Sequence, residues 1–256
     1  MPTEQRWALI TGAAQRTGAH LARGLAAQGY GLHLHTHTRD PAPLARTLRA
    51  EAGIPVRTHR VDLAGTEAVR TWAYHLRTGP CPPSLVVNNA SPFPPPHHVD
   101  DLGLLEEGLR VHLMAPVLLH AALPEEGGHV VNMLDARLSL LDGVRPGYEV
   151  SKHALAAHTL LAARRLAPHV RVNAIAPGLL LPPPGHDEKH LRALARQRSC
   201  LGHPAQPDDV VAALLFLEQA RSVTGQIIHV DSGEHLGGNE TCTVADLKHP
   251  SDSDQG

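Results

Sequence analysis

Apolar positions along the chain fall into two alternating patterns. Short runs bounded by glycine or polar residues, at 6–11, 31–36, 56–60, 85–88, 129–134, 170–175 and 226–230, predict strands. Longer stretches with apolar residues at helical spacing, at 17–28, 43–52, 66–76, 102–122, 148–166 and 207–217, predict helices. Strand and helix alternating at this spacing imply βαβ units and a parallel sheet. The expectation is one α/β domain over residues 1–238, a doubly wound sheet of seven parallel strands with helices on both faces. No internal boundary and no short repeat interrupts it. The polar tail 239–256 has no apolar periodicity and is expected to be a mobile end.

Composition narrows the classes. The chain has 256 residues, 42% hydrophobic and 19% charged, which fits a globular protein and excludes a disordered or membrane-spanning one. Its 23 basic and 25 acidic residues give a formal charge of -2, so no basic footprint for nucleic acid is expected. The 20 histidines turn the net charge positive only in mild acid. Cys81, Cys200 and Cys242 are odd in number and widely spaced, fitting neither a disulfide framework nor a zinc site, and a reducing, cytoplasmic setting is expected. No basic leader precedes a long apolar stretch at the N-terminus, so no export is expected.

Candidate chemistry gathers at the C-terminal ends of the strands. Thr11, Gly12, Ala13, Ala14, Gln15, Arg16, Thr17 and Gly18 join the first strand to the first helix, where small residues let the backbone approach a pyrophosphate and helix amides face it. That context makes the turn a Rossmann-type dinucleotide site. Strand two ends on His37, Thr38 and Arg39, with no acid to hold the ribose hydroxyls of NAD. With Arg16 in the first loop, this favours NADPH, Asp40 being the counterweight just past the strand. His33, His35 and His37 alternate along one strand, which puts them on one face. Cysteine and carboxylate partners at metal spacing are absent, so these histidines are expected to pack or line the adenosine end, and no metal is expected. His97 and His98, in a proline-rich loop, are expected to be solvated. The proline clusters at 92–96 and 182–184 follow strands four and six, beside the same edge. Tyr148 and Lys152, four apart, project from one helix face, and an ammonium beside a phenol is expected to lower the phenol pKa.

Taken in order, the glycine turn, Asp62 and Leu63, Asn88 to Ala90, Tyr148 with Lys152, Pro177 with Gly178, and Val230 to Gly233 resemble the short-chain dehydrogenase/reductase family over residues 6–235. The resemblance implies Tyr148 as the catalytic acid, Lys152 on the nicotinamide ribose, and Asp62 at the adenine. Asn89, Ala90, Pro177 and Gly178 complete the implied cofactor site. It also implies a homotetramer built on the long helices and the final helix and strand. Val210, Leu214 and Phe216 are candidates for that interface or for the monomer core.

Three departures resemble the pteridine reductases and dihydromonapterin reductases: Arg16 for a glycine, Ser91 for a glycine, and Asp135 for the usual serine thirteen residues before the tyrosine. The resemblance implies that Arg16 contacts cofactor phosphate and pterin, that Asp135 joins Tyr148 in proton delivery, and that Phe93 stacks on the pterin ring. Other positions depart further. His112 replaces an asparagine whose backbone supports a proton-relay water, Thr38 and Arg39 replace an Arg-Ser pair, Leu180 a polar residue and Ser232 a glycine. The expected activity is NADPH-dependent reduction of a small-molecule pterin or dihydropterin. The alternatives are a carbonyl reductase or alcohol dehydrogenase acting on a ketone, and a catalytically silent NADP(H)-binding regulator.

Overall fold

The structure, a computed structural model, describes residues 5–183 and 185–237; the tail 239–256 lies outside the described residues. Strands β1 (Trp7–Ile10), β2 (Gly31–Thr36), β3 (Val56–Arg60), β4 (Leu85–Asn88), β5 (Gly128–Met133), β6 (Val170–Pro177) and β7 (Ile227–Val230) form one sheet. All neighbours are parallel, in the order β3-β2-β1-β4-β5-β6-β7. The order reverses between β1 and β4, and the crevice above their C-terminal ends is where such sheets hold ligands.

Both faces of the sheet are covered, which is why its strands read as continuous apolar runs rather than alternating ones. In β1, Ala8 and Ile10 point into one core and Leu9 into the other, following the period of two. The first core packs the sheet against α1 (Arg16–Ala27), α2 (Ala42–Ala52) and α8 (Pro207–Gln219) through Leu21, Leu25, Leu48 and Leu214. The second packs it against α3 (Thr66–Thr78), α5 (Ala115–Leu119) and α6 (Pro146–Arg165) through Val69, Trp72, Leu119 and Ala162. Val210 and Leu214 are therefore monomer core, whereas Phe216 is exposed.

Two elements differ from the sequence expectation. The stretch 102–122 is not one regular helix: α4 (Leu102–Leu109) runs into a π-helical turn (Arg110–Met114), then α5 and a 3-10 turn (His120–Ala122). Pro116 lacks the N–H that an α-helix would direct at the carbonyl of His112, and the amide of Ala115 bonds instead to Arg110 O, five residues back. A further helix, α7 (Glu188–Arg198), was not anticipated. It buries only Leu191 and Ala195, and its charged remainder gives almost no apolar period to read.

Among the described residues no helix is long and apolar enough to cross a membrane.

Candidate active site

The glycine turn is built around close backbone approach. Gly12 has φ +63, and a Cβ there would lie 2.9 Å from the Cα of Ala90. A Cβ on Gly18 would run into the carbonyl oxygen of Gly12 and sit 2.8 Å from Asn89 Nδ2. Thr11 locks the turn to the β4 loop. Its hydroxyl accepts from the amides of Asn89 (2.9 Å) and Ala90 (3.0 Å), while Asn89 Nδ2 donates to Thr11 O (2.9 Å) and Gly12 O (3.2 Å). Arg16, the first residue of α1, has φ 49, the left-handed region that favours glycine. Its guanidinium donates to Pro182 O at 3.1 Å, tying the first loop to the segment beyond β6, and Thr17 follows it, half-buried.

Past β2, His37, Thr38 and Arg39 are exposed. Arg60, which ends β3, donates to His37 O (2.9 Å) and Thr38 O (3.1 Å), a basic neighbour that the sequence reading missed. Asp40 accepts from the amide of Ala42 at the start of α2, so its carboxylate already serves the backbone. Asp62 likewise accepts from Ala64 N at 2.9 Å while staying exposed, and Leu63 beside it is buried. Pro177 ends β6 and Gly178 follows it, its N donating to Val230 O at 3.1 Å.

The strand histidines do not share one role. His33 and His35 are buried and His37 is exposed beyond the strand. Donors and acceptors assign the rings: Trp72 Nε1–H donates to His59 Nδ1 (3.2 Å), His59 Nε2–H to His33 Nδ1 (2.9 Å), and His33 Nε2–H to Cys81 O (2.8 Å). His35 accepts from Gly12 N (3.2 Å) and donates to Val61 O (2.9 Å), so it supports the glycine turn from behind. Burial pushes His35 and His59 down to about 4, which keeps them neutral. Nor is His97 merely solvated. It accepts from Gly147 N at 3.1 Å and contacts Pro95 O at 3.0 Å, capping the start of α6, whereas His98 is exposed.

Tyr148 and Lys152 stand on the first turns of α6, both buried. Tyr148 Oη donates to Asp135 Oδ2 at 2.8 Å, and Asp135 Oδ1 accepts from Arg137 N at 2.8 Å. Lys152 Nζ donates to Met133 O at 2.7 Å, and burial lowers it to about 8 against the opposing pull of Asp135. The phenol is pushed well above its usual value, not below it. Burial dominates, and the charge and hydrogen bond of Asp135 add to it, while the Ser91 hydroxyl and Arg145 oppose.

Phe93 is 61% exposed and meets Tyr148 edge-on, ring centres 5.2 Å apart. Arg145 lies over the Phe93 ring at 4.3 Å and donates to Pro94 O at 2.7 Å, stapling the proline-rich loop to the segment before α6. Ser91 Oγ is 2.9 Å from Nε2 of the buried His112. Below these, Asn88 donates to Asn132 (2.8 Å) and Asn132 to Thr159 (2.9 Å), linking β4, β5 and α6. One metal-like group occurs among the described residues, His229, Asp231 and His235, but Asp231 is occupied by Gly233 N, His235 N and His235 Nδ1.

A doubly wound sheet with a glycine turn after β1 and a Tyr-Lys pair beside it defines a nucleotide-dependent oxidoreductase class. The chain belongs to the short-chain dehydrogenase/reductase family: the family model described as enoyl-(acyl carrier protein) reductase matches residues 12–235. It is 31% identical over 250 residues to granaticin polyketide synthase ketoacyl reductase 2 of Streptomyces violaceoruber, covering 90% of this chain and 96% of the relative. To pteridine reductase 1 of Leishmania tarentolae it is 30% identical over 279 residues, covering 90% and 96%. Among solved structures, FolM alternative dihydrofolate reductase 1 of Brucella canis, complexed with NADP, superposes with a TM-score of 0.83 at 31% identity, covering 93% of this chain and 97% of the other.

Proposed function

We propose that the protein is an NADPH-dependent reductase of pterins or dihydropterins, of the dihydromonapterin, dihydrobiopterin or dihydrofolate type. The observation that carries this is the bond from Tyr148 to Asp135 with Phe93 against the same phenol. Asp135 offers a carboxylate to ring N–H and amino donors, and Phe93 a face for a flat heterocycle. The likenesses to pteridine reductase 1 and to the FolM reductase support the reading.

The residues present fit the cofactor. Gly12 and Gly18 let the turn after β1 close on Ala90 and Asn89 where any Cβ would clash, and the N-terminus of α1 that follows has no side-chain cap, leaving its first amides for a phosphate. Thr11, Gly12, Arg16, Thr17 and Gly18 would hold the pyrophosphate side. His37, Thr38, Arg39, Asp62 and Leu63 would hold the adenosine end, with basic groups suited to the extra phosphate. Asn89, Ala90, Ser91, Tyr148, Lys152, Pro177 and Gly178 would hold the nicotinamide end. Bound there, NADPH supplies a hydride to a ring carbon. Tyr148 would give its proton to the adjacent ring nitrogen, and Asp135, which accepts the phenol's hydrogen bond, would orient it. Lys152, whose ammonium lies 5.9 Å from the Tyr148 ring centre, would supply positive charge near the phenol, while Arg16, Ser91 and Phe93 would position the ring.

The test is NADPH oxidation against dihydromonapterin, dihydrobiopterin, dihydrofolate, oxidised biopterin and simple ketones, with NADH as control. Pterin turnover with NADPH preferred supports the reading. Turnover of ketones alone would replace it with carbonyl reduction, the reading favoured by the ketoacyl reductase relative. The working protein is proposed as a cytoplasmic homotetramer, the exposed Met114, Val117, Leu161 and Phe216 being the apolar surface it would cover.

A further inference from the structure

We propose that His112 is a positioning residue that sets the direction of the Ser91 hydroxyl, making Ser91 a hydrogen-bond acceptor toward the site. His112 is 1% exposed on the π-helical turn, with one ring nitrogen on each of two serines. Ser151 Oγ lies 2.8 Å from Nδ1, and Ser91 Oγ 2.9 Å from Nε2. The assignment starts at Ser151, whose single proton goes to Tyr148 O at 2.8 Å. Ser151 therefore accepts from His112, which fixes the proton on Nδ1 and leaves Nε2 a bare acceptor. Ser91 must then give its own proton to Nε2. Its other backbone acceptor, Pro92 O, is 3.5 Å away, at the limit of a hydrogen bond. Tyr148 keeps its proton and directs it at Asp135, so the phenol oxygen competes for the Ser91 proton only as a neutral acceptor.

Selectivity follows from this geometry. With its proton committed, Ser91 shows only lone pairs to the cleft, which suits a ligand that places an N–H, amino or hydroxyl donor there. It penalises one that places a carbonyl oxygen there. The ring is also locked against rotation. A flip would exchange two unlike nitrogens between two hydroxyls, and its edge-on contact with Tyr148, 5.5 Å between centres, holds the phenol on the same side. The inference deepens the pterin reading by naming the partner type at Ser91, although the His112 assignment itself needs no particular substrate.

The direct experiment is a long-range proton-nitrogen correlation spectrum of the nitrogen-15-labelled protein, with His112→Asn identifying the missing ring signals. The expected result is the Nδ1–H tautomer, and a proton on Nε2 overturns the proposal. A double-mutant cycle on whichever substrate is turned over supplies the functional arm. His112→Phe keeps the ring but removes the acceptor, and should raise KM for that substrate about ten-fold with kcat within about three-fold. In a Ser91→Ala background the same change should have no further effect, because His112 acts through Ser91. Losses that add overturn the proposal. If neither pterin nor ketone is turned over, the function reading fails by itself and the tautomer still decides the role of His112.

Discussion

Tyr148 and Asp135, thirteen positions apart in the chain, meet at 2.8 Å because β5 ends beneath the first turn of α6. The phenol is the donor, and it points its proton at a carboxylate whose other oxygen is pinned by the amide of Arg137. Tyr148→Phe removes the only phenol at this point while leaving the ring packed. Turnover should fall by about a thousand-fold or more, with NADPH affinity by fluorescence titration unchanged within about three-fold. A mutant that keeps more than a tenth of the activity removes Tyr148 from the chemistry.

Asp135 raises the phenol pKa by its charge and by accepting the hydrogen bond. Asp135→Asn removes the charge, so Tyr148 should ionise at lower pH than in the parent protein. Ultraviolet difference titration, with Tyr148→Phe as reference, reads this directly. An unmoved titration would mean that burial alone sets the value. Asp135→Ser separates substrate classes: pterin activity lost with no ketone activity gained supports the pterin site.

Much of this arrangement was legible in the sequence. The alternation of apolar runs gave all seven strands, and the four-residue spacing placed Tyr148 and Lys152 on one face of α6. What the sequence could not show came from contacts that no period encodes. Lys152 was expected to lower the phenol pKa, but its ammonium is turned to Met133 O, and the burial that raises Tyr148 depends on residues far away in the chain. The π-helical turn follows from the missing N–H of Pro116, a signal available in the sequence but indistinguishable there from a kink. Helix α7 was invisible because its buried face is two residues wide.

The close approach at Gly18 gives a stability prediction. A methyl group there meets Gly12 O and Asn89 Nδ2, both backbone-tied, so neither can yield cheaply. Gly18→Ala should cost roughly 1–3 kcal/mol in urea unfolding and weaken NADPH binding in parallel. Full stability with full cofactor affinity would show that the turn is more pliant than its packing implies.

Buried neutral histidines make the fold acid-sensitive. His35 has its folded pKa depressed to about 4, against about 6.5 when unfolded, because burial disfavours the cation. Its contribution is fully present above pH ~6.5 and is lost as the pH falls toward ~4, since the unfolded chain takes up the proton first. This one group is worth about 3 kcal/mol across that window. His59 shifts in the same direction and adds to it. Unfolding free energy by urea titration should therefore drop steeply between pH 7 and pH 5, and His35→Gln should flatten the slope. A parallel slope in the variant would place the acid sensitivity elsewhere.

Arg16 carries both strain and a contact, and two substitutions separate them. Its φ of 49 costs a side-chain-bearing residue about 1 kcal/mol relative to glycine, while its guanidinium ties the first loop to Pro182 O. Arg16→Ala keeps the strain and removes the guanidinium; Arg16→Gly removes both. The glycine variant should therefore unfold about 1 kcal/mol harder than the alanine variant, by urea titration at pH 7. Both should lose preference for NADPH over NADH to a similar extent, because a phosphate contact depends on the guanidinium alone. Equal stabilities would mean the loop relaxes around alanine. Retained NADPH preference in both would hand phosphate recognition to Arg39 and its neighbours at the end of β2.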